Sequence, residues 1–189
     1  MLAASNRTAV GPKLHTSILN QHKNSTASNT AIIQLVNGQE KQVSYNEFTQ
    51  ESYRLTTALW NSGVIRRKGE HVGLLMLGSC EAMEVVMACS ILGCVAVHVP
   101  SYFHPTEIVT WMNKVSAKVL FVDASYEENV RQIIPQLQTV TQIIFMRWSE
   151  EELSGSDQKL LGYTEFKSIH APSNTKLPTG VQYTVYDTD

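Results

Sequence analysis

The chain contains 189 residues, of which 43% are hydrophobic, and it has a formal net charge of −2 and a pI near 6.3. This length and composition predict one domain with a sizeable apolar core. The near-neutral charge lacks the basic face that nucleic-acid binding needs, so no nucleic-acid partner is expected. The sequence has no run of about 18 apolar residues, and no transmembrane segment is therefore predicted.

The first segment, residues 1–30, predicts a flexible polar leader. It is rich in Asn, Ser, Thr and Ala, contains no Asp or Glu, and lacks the apolar centre of a secretory signal peptide. An acid-poor, Ser-rich start also resembles a transit peptide, although Arg7 is its only arginine. We therefore expect a protein of the cytoplasm or of an organelle interior, the mitochondrion included, and not a secreted protein.

Three cysteines, Cys80, Cys89 and Cys94, fall within 15 positions. An odd number of cysteines in an apolar helical stretch is typical of reduced, buried thiols and not of a disulfide framework. No histidine stands at metal-ligand spacing from them, so no zinc site is predicted.

The second segment, residues 31–146, predicts an α/β domain. Two extended runs, 31–36 and 40–43, flank Asn37-Gly38, which is a strong hairpin signal. Apolar strand-like runs then alternate with helical periods, which indicates an open, mostly parallel sheet with helices on both faces. The later predicted strands are 71–77, 94–99, 118–122 and 141–146; the predicted helices follow Ser44, span 81–92, begin at Pro105 and span 127–137.

Two of these helices carry clear boundary signals and apolar stripes. Ser44 and Glu47 have the spacing of a capping box, and Gly63 suits the end of the same helix. Pro105 suits the first position of a helix, where the missing amide hydrogen of proline costs no intrahelical hydrogen bond. The stripes that we expect to enter the core are Phe48, Ser52, Leu55 and Leu59 in the first helix, and Ile108, Trp111, Met112 and Val115 in the other.

The third segment, residues 147–189, predicts a loop-rich extension. It begins with acidic and polar residues, and it later carries two prolines among Ser, Asn and Thr. Such composition is typical of surface loops or linkers.

The residues alone reveal no complete catalytic constellation. The Gly-x-Gly-x-x-Gly fingerprint is absent, and the glycine-flanked basic segment 63–69 is better explained as a turn than as a phosphate loop. His98 follows a predicted buried strand, at the edge where open α/β sheets bind ligands, and Tyr102 follows in the next loop. We treat His98 and Tyr102 as candidate substrate-pocket residues; the alternatives are a hydrogen-bonded core histidine and aromatic packing under the next helix.

Four segments resemble the AMP-binding family of acyl-CoA synthetases, luciferases and adenylation domains. Residues 43–48, Val-Ser-Tyr-Asn-Glu-Phe, resemble its opening Leu-Thr/Ser-Tyr-x-Glu-Leu motif. Residues 63–72 resemble its Gly-Val-x-x-Gly-Asp-x-Val segment, and residues 92–100 its Lys-Ala-Gly-x-Ala-Tyr-Val-Pro motif. Residues 117–123 resemble the strand that follows. Two departures are Ile91-Leu92 in place of Lys-Ala, and His98 where the family often has an aromatic residue.

The resemblance implies the N-terminal part of the large domain of an enzyme that uses ATP to convert a carboxylic acid, here a fatty acid, into an acyl-adenylate and then an acyl-CoA. ATP, Mg²⁺ and coenzyme A are implied for the full-length parent, with a carboxylate as its substrate. The family's phosphate loop, Thr-Ser-Gly-Thr-Thr-Gly-x-Pro-Lys-Gly, and its catalytic lysine have no counterpart before Asp189. We therefore assign no catalytic, cofactor-binding or metal-binding residue, and we expect this segment alone to bind no cofactor and to be inactive.

Two other interpretations remain open at this stage. The chain could be a binding or regulatory module that retains the scaffold and pairs with another protein. It could also be an unrelated doubly wound domain that binds a small ligand near His98 and Tyr102.

Overall fold

The computed structural model describes residues 26–36, 38–146 and 160–172. The predicted leader up to residue 25, Asn37, and residues 147–159 and 173–189 of the predicted extension lie outside the described residues. The elements in chain order are β1 Thr30–Val36, β2 Gln39–Ser44, α1 Tyr45–Asn61, β3 His71–Leu75, α2 Cys80–Leu92, β4 Val95–His98, α3 Pro105–Lys114, β5 Val119–Asp123, α4 Glu127–Ile133, β6 Gln142–Met146, β7 Leu160–Gly162 and α5 Tyr163–His170.

The main sheet has five parallel strands in the order β4-β3-β5-β6-β7. The chain runs outward from β3 to β4 and then returns across β3 to β5. This reversal is the topological switch of a doubly wound sheet, and it lies between the ends of β3 and β5. The predicted open parallel α/β sheet is thus confirmed.

The central strands of this sheet are apolar on both sides because helices cover both faces. On one face, side chains such as Val72 and Phe121 pack with α1, α2 and α5. On the other face, side chains such as Leu75 and Leu120 pack with α3 and α4. Successive residues of a strand point to opposite faces, so one continuous apolar run supplies both cores.

The predicted hairpin forms as β1 and β2, which pair in antiparallel register. Gly38 lies between them with φ 78°, a backbone region that glycine enters without strain. The hairpin packs against α1 and α2 through a third apolar cluster, which consists of the buried Val43, Phe48, Cys80, Met87 and Ile91 with partly buried neighbours.

The first helix forms as its sequence predicts. The Ser44 side chain accepts a hydrogen bond from the Glu47 amide at 3.2 Å, and the Glu47 carboxylate accepts one from the Ser44 amide at 2.8 Å. All four residues of the predicted stripe are buried. The helix ends before Gly63, which has φ 69°.

Three of the predicted elements differ from the sequence-based prediction. The strand that ends at His98 was predicted to be buried, but β4 is an edge strand with half-buried and exposed residues. Trp111 was expected in the core, yet it is 38% exposed and makes an edge-to-face contact with Phe103, since α3 buries chiefly Ile108 and Met112. The helix that begins at Glu127 ends early, because Pro135 has no amide hydrogen and the chain tightens into a 3₁₀ turn.

The predicted loop-rich extension contains a strand and a helix that the sequence analysis did not anticipate. Strand β7 pairs with β6 in parallel, and α5 follows it directly. Tyr163 and Phe166 of α5 are buried in the core beside α1 and β5. The intrinsic tendency of this short amphipathic stretch to form a helix is weak, so these elements form because long-range packing covers them.

Candidate functional site

The carboxyl edge of the sheet, where doubly wound folds bind ligands, carries two concave features. We call them the apolar groove and the charged cavity. The first lies beside β3 and β4, and the second lies among α1, α2 and α5.

The apolar groove has a volume of about 500 Å³. Its walls come from β1, from the end of β3 with the turn that follows, and from the first turns of α2; His98 stands at the end of β4. The apolar side chains that line it include Ile32, Leu35, Leu74, Met76, Leu77 and Met83. Its polar lining residues include Gln34, Ser79 and His98. A concave, mostly apolar surface with a few polar groups is the usual composition of a small-molecule site.

The two candidate residues from the sequence do not share this groove. His98 lines it and is exposed. Tyr102 is 84% exposed, packs edge to face against Phe103, and is not among the groove residues. The structure therefore brings His98, but not Tyr102, to the groove.

The charged cavity has a volume of about 220 Å³. It is lined by Lys41, Glu51, Glu81, Glu84, Met146, Tyr163, Thr164 and Lys167. The ammonium of Lys167 lies 2.5 Å from a Glu51 carboxylate oxygen and 3.6 Å from one of Glu84. The Tyr163 hydroxyl donates a hydrogen bond to the same Glu84 oxygen, and Lys41 lies 3.5 Å from Glu81 at the mouth.

Burial controls the acid–base chemistry of this cluster. Desolvation raises the pKa of the Glu84 carboxyl above its usual value, while the nearby Lys167 ammonium opposes that rise. Desolvation, followed by the charge of Glu84, raises the pKa of Tyr163 well above its usual value. Tyr163 therefore stays protonated as a donor at physiological pH.

Sequence reasoning missed this cluster because its members are far apart in the chain. Glu84 and Tyr163 are 79 residues apart, and Glu51 and Lys167 are 116 apart. One signal was available: Glu84 is a carboxylate in the interior of a helix that is apolar nearly all round, with only Glu81 as a second charged residue. A buried carboxylate normally needs a partner.

Backbone amides that could have bound a phosphate are occupied by the protein itself. In the turn 63–69, the Glu70 carboxylate accepts hydrogen bonds from the amides of Arg66 at 2.7 Å and Arg67 at 3.0 Å. At the start of α2, Gln34 and Ser79 side chains accept from the first amides. The amides at these two places are thus already hydrogen-bonded, and residues 63–69 form a turn, as predicted.

The described residues also lack a metal centre and an activated thiol. No group of three or more His, Cys, Asp or Glu side chains in that part of the chain could hold a metal ion. The three cysteines are free, as predicted. Burial raises the pKa of Cys94 to about 12 and also raises the pKa of Cys89 above its usual value, so neither thiol ionises readily.

None of the helices among the described residues is long and apolar enough to cross a bilayer. The fold and its carboxyl edge define a doubly wound α/β protein. Its described part provides the scaffold and two concave surfaces, the apolar groove and the charged cavity.

The chain belongs to the AMP-binding enzyme family, which it matches over residues 19–184. No curated protein sequence is significantly similar to it.

Solved structures of ligases share its fold. One is the anthranilate CoA ligase AuaEII in complex with anthranoyl-AMP, with 25% identity and a TM-score of 0.61 over 70% of this chain and 24% of that one. A protein from Rhodopseudomonas palustris assigned as a long-chain-fatty-acid CoA ligase has 18% identity and a TM-score of 0.69, over 88% of this chain and 38% of that one. A variant of coronafacic acid ligase from Pectobacterium brasiliense has 16% identity and a TM-score of 0.70, over 87% and 30%. The chain thus spans about a quarter to two fifths of the length of these ligases.

Proposed function

We propose that this chain is the N-terminal portion of an ATP-dependent carboxylate–CoA ligase, and that the portion alone is inactive. The observation that carries the proposal is the family match over residues 19–184. The fold shared with two CoA ligases supports it, and the resemblance in the four sequence motifs agrees with both. The parent enzyme would join a carboxylate to AMP, release pyrophosphate, and then transfer the acyl group to coenzyme A.

In this proposal the chain contributes scaffold, not catalytic groups. ATP, Mg²⁺ and coenzyme A belong to the full-length parent, because residues 1–189 contain no counterpart of the family's phosphate loop or catalytic lysine. Phosphoryl chemistry depends on groups that stabilise charge on the transferring phosphorus. Without them the rate of adenylation by this chain falls to background.

The substrate that we propose is a fatty acid, with His98 as a residue of its pocket. The apolar groove beside His98 supports a substrate with an aliphatic chain, because apolar surface is favourably covered by apolar groups. Tyr102 is a weaker candidate for the same pocket, since it faces solvent in the described residues.

The test is an acid-dependent adenylation assay on two proteins, residues 1–189 and the product of the complete native transcript. Pyrophosphate release and hydroxamate trapping are measured with ATP, Mg²⁺ and fatty acids of increasing length. We expect activity only in the longer protein, with lower kcat/KM for its His98→Ala variant. Turnover by residues 1–189 alone would refute the proposal, as would a longer protein that adenylates no carboxylate.

A second candidate is a binding or regulatory module that retains the ligase scaffold. Exposed apolar side chains around the groove favour it: Ile33 is 61% exposed and Leu35 is 74% exposed, with Leu77 and Met83 nearby. Clusters of this kind on a small domain often mark contact with another protein. If this candidate is correct, a native 189-residue protein co-purifies with a partner, and Leu35→Glu abolishes that association while Ile169→Glu does not.

For the location, we propose the cytoplasm or an organelle interior such as the mitochondrial matrix. Cell fractionation with and without residues 1–30 tests this, and retention of the protein in a secretory compartment would refute it.

A further inference from the structure

The strand β7 and the helix α5 are held to the rest of the domain by an unusual combination of contacts. Strand β7 has only three residues and lies at the edge of the sheet, and α5 has eight. A helix this short is unstable in water without tertiary contacts. The stability of this pair of elements therefore depends on what α1, α2 and β6 provide.

The apolar part of that contact consists of a few buried side chains. Phe166 and Ala171 are fully buried, and the Tyr163 ring packs edge to face on Phe121 at 6.4 Å between centroids. Two hydrogen bonds fasten the end of α5: Arg54 donates to the Ala171 carbonyl at 3.0 Å, and Asn61 donates to the His170 carbonyl at 2.9 Å. Both donors belong to α1.

Besides the parallel pairing of β7 with β6, the other contact is ionic. Glu84 is faced by Lys167 and Tyr163 from α5, and by Glu51 from α1. Its own helix adds Glu81, which pairs with Lys41 of β2 at the mouth of the cavity. The Lys167 ammonium also lies 4.1 Å from the centre of the Tyr163 ring.

Such a cluster does not maximise the stability of the contact between α5 and the rest of the domain. Desolvation of buried charges offsets most of their attraction, so apolar residues of similar volume would often hold α5 at least as firmly. Loss of one partner, in contrast, leaves an uncompensated charge and is strongly unfavourable. The strength of the contact therefore depends on the integrity of the cluster as well as on the apolar area that it buries.

We propose that β7 and α5 form a unit that opens from the sheet as one body, and that Lys167, Glu84, Glu51 and Tyr163 are the clamp that sets its opening equilibrium. Opening separates the Lys167 and Tyr163 side of the charged cavity from the Glu51 and Glu84 side. It leaves β3, β5 and their helices folded. The proposal concerns the chain itself and does not depend on the ligase function.

Hydrogen–deuterium exchange of the 189-residue chain, followed by peptide mass spectrometry, tests this directly. In the wild type we expect amides of residues 160–171 to exchange together and faster than those of β3 and β5, as a cooperative sub-global unit does. In Lys167→Met, exchange of 160–171 accelerates by about 30-fold or more, because Glu84 loses its cation. Exchange of β5 changes by less than about threefold.

Three further variants isolate the ionic contribution. The double variant Lys167→Met/Glu84→Gln removes both charges and keeps an acceptor for Tyr163, so its 160–171 exchange returns toward the wild-type rate. Glu51→Gln, a milder change at a more exposed partner, gives a smaller acceleration in the same peptides and replaces Lys167→Met if that variant fails to fold. Lys114→Met, at an exposed lysine on α3, changes neither region.

Two results would overturn the proposal. One is equal acceleration of 160–171 and β5 in Lys167→Met, which would mean that the cluster supports only global stability. The other is unchanged exchange of 160–171 in both Lys167→Met and Glu51→Gln.

Discussion

Gly73 in the central strand β3 offers a sharp test of how tightly the sheet packs on α3. A Cβ atom added at Gly73 would lie 2.5 Å from the Met112 sulfur and 2.9 Å from a Leu120 methyl carbon. Both neighbours are fully buried, so neither can move into solvent. Overpacking of a core costs about 1–3 kcal/mol, and the gain from replacing glycine by alanine in a strand recovers roughly 0.5–1 kcal/mol of it. We therefore expect Gly73→Ala to lower the free energy of unfolding by about 1–2 kcal/mol.

Urea denaturation and thermal melting measure this change, with a melting temperature lower by roughly 2–8 °C for a domain of this size. Gly78→Ala is the matched control, because no atom lies within 4 Å of its added Cβ and its φ is not positive. A double-mutant cycle with Met112→Ala should show favourable coupling of about 1 kcal/mol, since that change removes the clashing atoms. Equal stability of Gly73→Ala and Gly78→Ala, or strict additivity in the cycle, would refute the packing described here.

Three other changes have defined outcomes. Ser44→Ala removes the acceptor of the Glu47 amide, and urea denaturation should show a loss of about 1 kcal/mol; no loss would mean that the capping box is not formed. The pKa of Glu84 is higher in the folded state than its usual value of 4.5. The stability that protonation of Glu84 provides is therefore fully present below pH 4.5, and it is lost as the pH rises through the folded-state pKa. The free energy of unfolding of Glu84→Gln, relative to that of the wild type, should therefore increase as the pH rises from 4.5 to 7.5. Denaturation curves that give the same difference in free energy at both pH values would contradict this. At pH 8 the thiols of Cys89 and Cys94 should resist iodoacetamide in the native state and react in urea, whereas rapid native labelling would show that they are not buried as described.

Much of the fold could be predicted because its signals are local. The capping box at Ser44 and Glu47 depends on residues three apart, and Pro105 marks a helix start by its own chemistry. The runs at β3, β5 and β6 are apolar on both sides because two helical layers cover them, and this pattern identifies a parallel sheet from the sequence alone.

Other features depend on neighbours that are distant in the sequence. The position of β4 at the sheet edge follows from strand order, which the apolar run at 94–99 does not reveal. Trp111 lies on an apolar stripe, yet α3 presents only part of that stripe to the core. Helix α5 is stabilised by residues more than 70 positions away. Its own sequence therefore carries little helix signal and was interpreted as a loop.

The candidate site was predicted only in part for the same reason. His98 could be placed at the carboxyl edge because it follows a strand in an α/β pattern. Tyr102 was grouped with it by sequence proximity, but the loop after Pro100 turns its ring toward solvent. The charged cavity required the packing of three helices before its carboxylates and lysines came together.

The most direct test of the central claim is the intact mass of the native protein, isolated from its own source with an antibody against residues 31–146. If the chain is the N-terminal portion of a carboxylate–CoA ligase, we expect a mass well above 21.1 kDa, with peptides of a Ser/Thr/Gly-rich loop containing Pro-Lys-Gly. A native mass of 21.1 kDa would contradict the ligase proposal and favour a binding module on the same scaffold.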